Sequence, residues 1–120
     1  HLSIRRQRQM CIRDSMYGTF HLARAYVKKG KQQAAEQLFQ KVMQAMPEYP
    51  QVYFELGRIK SDQGQTGTSN FYLAKYYLYE GKLDFAREYL IMAKKDPAVS
   101  ESVRIEADKL LERLDYLEKL

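Results

Sequence analysis

The chain has 120 residues, enough for one modest domain, and its 45% hydrophobic content permits a packed core. Its formal charge of +5 is uneven: Arg5, Arg6, Arg8 and Arg13 against Asp14 put +3 on residues 1–15 and leave +2 on the rest, which excludes a globally basic nucleic-acid surface. A single cysteine, Cys11, excludes an internal disulfide, and no apolar run approaches the roughly 18–20 residues that cross a bilayer.

The first segment, "RRQRQMCIRDS", invites two readings. As a basic arm it would grip phosphate, which makes a nucleic-acid binder one rival reading of the chain. The string also closely resembles the translated sequencing-adapter sequence at the ends of open reading frames from assembled environmental reads, and the chain starts at His1 rather than Met. That resemblance implies that residues 1–15 are a disordered leader foreign to the natural protein, with native sequence from about Met16. The amino end has charge but lacks the uninterrupted apolar segment of a signal peptide.

Beyond the leader, Ala, Leu, Lys, Glu, Gln and Arg dominate, and these favour helix. Six helices are predicted, over about 16–29, 32–46, 50–63, 68–80, 83–95 and 99–119. The second carries Ala35, Leu38, Phe39, Val42 and Met46 on one stripe. Pro47 and Pro50 close it and favour an extended link. The fourth, "NFYLAKYYLYE", is apolar or aromatic nearly all round, so it is expected to be the most enclosed. The last repeats Val103, Ala107, Leu110, Leu114 and Leu117 between charged residues, with Asp96 and Ser100 both eligible as its cap. That spacing suits a terminal capping helix, over 99–120, better than a coiled-coil dimer, so a monomer is expected.

Period searching exposes a repeat. Leu22, Leu56 and Leu73 are separated by 34 and then 17 residues. Phe20, Phe54 and Phe71 follow the same steps, as do Arg24, Arg58 and Lys75, and Gly30, Gly64 and Gly81. Ala35, Phe39 and Val42 return as Ala86, Leu90 and Ala93 after 51. The glycines fall where a helix ends and the chain can turn left-handed. Small residues such as Ala23, Gly57 and Ala74 let helix axes approach closely. Such a helical hairpin cannot bury its apolar face alone, so it stacks, with Leu22, Leu56, Leu73 and Leu38 expected inside. Helix four falls where the second repeat's second helix belongs, yet carries first-helix residues of the third.

This order of Leu22-Ala23, Tyr26, Ala35, Phe39 and Pro47 at a 34-residue period resembles the tetratricopeptide repeat. The resemblance spans residues 16–98 and implies an all-α, tetratricopeptide-like α-α superhelix of stacked antiparallel hairpins, with units 16–49, 50–66 and 67–98. It also implies an inner groove lined by first helices, presenting Tyr17, Phe20, Arg24, Phe54, Arg58, Phe71, Lys75, Leu78 and Tyr79. At the two positions where clamp-type members hold a carboxylate, this chain has Phe and Arg or Lys, so an aromatic row beside a cationic row is expected to suit a protein or peptide with apolar and acidic groups.

Chemistry is sparse. His1 and His21 are the only histidines, there is no HExxH, and "GQTG" at 64–67 lacks the Lys-Ser/Thr of a phosphate loop. No catalytic, metal or cofactor residue is assigned, and the expected activity is binding rather than catalysis. "SNFYLAKYYLYEGKLDFAREYLIMAKKDP" followed by a charged helix is similar to the carboxyl-terminal repeat region of bacterial BepA-type zinc metallopeptidases. That similarity implies a recognition and docking part of a periplasmic protease, packed against an adjoining protease domain. The alternative is a generic adaptor in a multiprotein assembly, in the cytoplasm and unconnected with proteolysis.

Overall fold

The computed structural model describes residues 2–119, and the side chains of 11–119. Six helices follow one another: α1 (Leu2–Lys28), α2 (Gln32–Ala45), α3 (Pro50–Asp62), α4 (Thr66–Tyr79), α5 (Leu83–Lys95) and α6 (Glu101–Glu118). No strand occurs among the described residues. The chain divides into two compact units, His1–Val52 and Tyr53–Leu120.

Three of the five connections are the same turn. Gly30, Gly64 and Gly81 have φ of 80°, 79° and 84°, the left-handed region that a side chain disfavours. Each glycine N–H returns to a carbonyl three residues back (Val27, Ser61, Leu78) at 3.0, 3.0 and 3.2 Å. The next N–H reaches five residues back (Tyr26, Lys60, Tyr77) at 2.9 Å in every case. These two bonds satisfy carbonyls that a helix end would otherwise leave orphaned. The following helix starts at once, and its first bonds place Ala35, Ser69 and Ala86 at equivalent positions, all buried. Identical backbone chemistry therefore underlies the 34- and 17-residue spacing.

The other two connections contain Pro47 and Pro97. Ser100, not Asp96, caps α6: its hydroxyl accepts from Val103 N–H at 3.3 Å, while the Asp96 carboxylate accepts from Ala98 N–H at 2.9 Å within the turn. Because glycine turns stand on both sides of α4, this helix closes one hairpin with α3 and opens another with α5. It belongs to both registers. No residue from 67 to 78 is exposed, in line with its expected enclosure.

In the first unit, α1 and α2 pack through Phe20, Ala23, Ala35, Phe39 and Val42, with the Phe20 and Phe39 rings 5.4 Å apart edge to face. In the second, Phe71, Ala74, Ala86, Leu90, Ala93, Ala107 and Leu114 form one core across α4, α5 and α6. Ion pairs hold α6 along α5: Arg87 with Asp115 and with Glu118 (2.7 Å), and Lys94 with Asp108 (2.5 Å).

Four expectations are corrected. α1 starts at Leu2 rather than near residue 16, since neither Pro nor Gly interrupts residues 2–15 and Arg, Gln, Met and Leu favour helix; His1 lies outside the described residues. Leu22 is 48% exposed, although Leu56 at the same repeat position is fully buried. Leu117 points outward near the end of α6, 45% exposed. Leu38 and Leu73 are half-buried rather than central.

Candidate functional site

Helical spacing places Tyr17, Phe20 and Arg24 along one stripe of α1, but their surroundings differ. Phe20 is 3% exposed, with Phe39 and Tyr49 (5.3 Å) against its ring. It is a core residue and presents nothing to a partner. Tyr17 lies edge-on to Tyr49 at 5.4 Å and keeps 39% of its surface. Together with Ile12, Arg13, Met46, Pro47 and Pro50 it lines a cleft of about 590 Å³ in the first unit. Burial, then Tyr17, pushes the Tyr49 phenol up, and the positive charge of Arg24 opposes them. Arg24 itself is exposed.

In the second unit the pattern splits again. Phe54 is 39% exposed, with the Tyr76 ring at 5.4 Å and the Arg58 guanidinium 6.0 Å over its face. The guanidinium stays exposed while it stacks, which leaves its donors for a carboxylate. Tyr79, also 39% exposed, stacks on buried Tyr53 at 5.5 Å. Phe71 is 4% exposed and part of the core, and Leu78 packs against that core. Phe71 is therefore corrected from a recognition to a packing residue, while Leu78 remains partly open to solvent. Lys75 is committed within the fold: its ammonium lies 5.0 Å over Phe71 and 5.5 Å over Tyr53, and pairs with Glu106 at 3.6 Å.

Topology gives the reason. First helices line one groove only if they run parallel, and α4 follows α3 through a tight turn, so it runs the opposite way. Phe71 and Lys75 share repeat positions with Phe54 and Arg58 but cannot extend their rows. The exposed remainder of the expected groove is Tyr17 and Arg24 in one unit, and Phe54, Arg58 and Tyr79 in the other.

Comparison with protein-family models, curated proteins and solved structures gives no match. The site is therefore read from its chemistry alone. Among the described residues no group of three His, Cys, Asp or Glu side chains is placed to hold a metal ion, and no helix is long and apolar enough to cross a membrane.

Two features escaped the sequence reading. Glu106 as the tether of Lys75 lies 31 residues away on another helix, with no local signal. The Tyr53 contacts with Tyr72 (6.5 Å) and Tyr79 arise from neighbouring helices in register, which abundant tyrosine suggests but does not pair.

Proposed function

We propose that this chain is a non-catalytic helical-repeat module of tetratricopeptide type that binds a protein or peptide partner. One observation carries the reading: Phe54 stands exposed on α3 with Arg58 stacked on its ring and Tyr76 beside it. A large aromatic left at the surface costs hydration free energy of roughly 25 cal/mol per Å² of apolar area, which a partner's apolar side chain would recover. An adjacent guanidinium fixes a carboxylate with directional bonds. The partner chemistry is thus an apolar anchor next to an acidic group.

The larger setting we favour is the docking part of a periplasmic BepA-type zinc metallopeptidase, supported by the similarity of residues 69–97; a free-standing adaptor is the alternative. Selection from a displayed random-peptide library tests the binding reading. Enriched peptides should pair an aromatic or aliphatic residue with Asp or Glu, and lose binding to a Phe54→Ala, Arg58→Glu double variant with unchanged helical circular dichroism. Equal recovery on the double variant would remove the α3 surface as a recognition site.

A further inference from the structure

The chain has 10 tyrosines and no tryptophan, and several of those phenols meet in the second unit. Tyr77 on α4 and Tyr89 on α5 stack at 5.3 Å with their planes only 19° apart. Both are half-buried, so small reagents reach them while the helices hold their rings still. Burial comes first in pushing the Tyr89 phenol up, followed by the Tyr77 phenol beside it and then Glu88. Near-parallel rings on adjoining helices hold the two phenols side by side. Other tyrosine contacts lack one part of this arrangement. Tyr53 and Tyr79 are parallel, but Tyr53 is 1% exposed; Tyr76 meets Tyr77 edge-on at 62°.

We propose that Tyr77 and Tyr89 are a site of oxidative coupling, at which a one-electron oxidant joins α4 to α5 by a carbon–carbon bond between the two rings. The oxidant class is a metal–peroxide or photogenerated species accepting one electron per event, and two equivalents are consumed. Each phenol loses one electron and its hydroxyl proton and becomes a phenoxyl radical. The radicals combine through the carbons ortho to oxygen. Each new ring junction then gives its hydrogen to its own oxygen, which restores both phenols. The chain loses two hydrogens in total, and the oxidant takes up two electrons. Preorganised stacking favours this closure over coupling between molecules, because the reacting carbons need no diffusional encounter. The product is a covalent staple across the Gly81 turn, which makes the hairpin responsive to oxidative stress.

The test is photo-oxidation of the full chain with tris(bipyridyl)ruthenium and persulfate, read by dityrosine fluorescence, denaturing gel and tryptic mapping. The expected product remains monomeric and yields residues 76–82 linked to 88–94, two hydrogens lighter than the separate peptides. Tyr89→Phe and Tyr77→Phe, which remove only a hydroxyl, should each abolish that linked pair, whereas Tyr79→Phe should retain it. Helical circular dichroism confirms that each variant folds. Linkage of 76–82 to the Tyr53 peptide, coupling only between molecules, or persistence of the 76–82 to 88–94 link in Tyr89→Phe would overturn the assignment.

Discussion

The Ser69 hydroxyl donates to the Gly57 carbonyl at 2.7 Å, joining α4 to α3 inside the second unit. Ser69 is a buried polar side chain, 4% exposed, and it occupies the position held by Ala35 and Ala86 in the sister turns. Gly57 lets the helices come this close, since a Cβ there would sit 3.2 Å from Leu73 Cγ and 3.4 Å from the Ser69 carbonyl. A Ser69→Ala variant should lose about 1 kcal/mol, the net value of one such bond. Urea denaturation reads this as a lower midpoint with unchanged slope.

The repeated glycines allow a controlled comparison. A Cβ at Gly30 or Gly81 meets nothing within 4 Å, so substitution there costs only the left-handed backbone. Gly30→Ala and Gly81→Ala should each destabilise by about 1–2 kcal/mol, and Asn should cost less at either site. Gly67 differs: a Cβ there would press on Val99 and come within 2.8 Å of Asp96 Cβ, so Gly67→Ala should act by overpacking, about 1–3 kcal/mol, and displace the α5–α6 turn. Thermal unfolding separates the sites, and amide exchange at 96–100 should accelerate in Gly67→Ala alone.

Core and surface leucines should part company. Leu90, 1% exposed, should cost about 2–5 kcal/mol on truncation to alanine. Leu22, at 48% exposure, should change stability by no more than about 0.5 kcal/mol. Equal losses at the two sites, measured by denaturant midpoint, would contradict the burial pattern.

Alkaline pH should unfold the second unit. Burial, followed by Tyr79, Tyr72 and Glu106, pushes the Tyr53 phenol well above its ordinary value of 10.0. In the unfolded chain this phenol ionises near that ordinary value, while the folded state keeps it protonated. Its contribution is therefore complete below about pH 10 and is lost as pH rises from there toward the folded value. The denaturation midpoint should fall steeply above about pH 10, and Tyr53→Phe should flatten that fall. Phenolate absorbance followed during the titration checks which event comes first.

The pairing of Arg87 with Asp115 and Glu118 should be visible in dynamics more than in stability, because both carboxylates are exposed. Arg87→Gln, or high salt on the parent chain, should speed amide exchange over 111–118 without displacing the core around Leu90.

Most of the helix boundaries were legible because each break has a chemical cause that the sequence displays: a glycine with positive φ or a proline. The start of α1 was not, since nothing in residues 2–15 opposes a helix. Register also told which positions are apolar but not whether a neighbour covers them. Phe20 and Phe54 share one repeat position, yet only Phe20 has Phe39 and Tyr49 closing over it. Likewise the cationic row predicted from Arg24, Arg58 and Lys75 failed at Lys75, whose counterion comes from a distant helix.

The double role of α4 changes what counts as the building block. With one 17-residue step in place of 34, the smallest increment by which this architecture lengthens or shortens is a lone rod, not a couple. Every such odd step reverses the direction in which all later rods travel, so surfaces destined for one side are delivered to the other. A single short insertion or loss of that length would thereby reverse the run of every later helix while leaving the remaining residues unaltered.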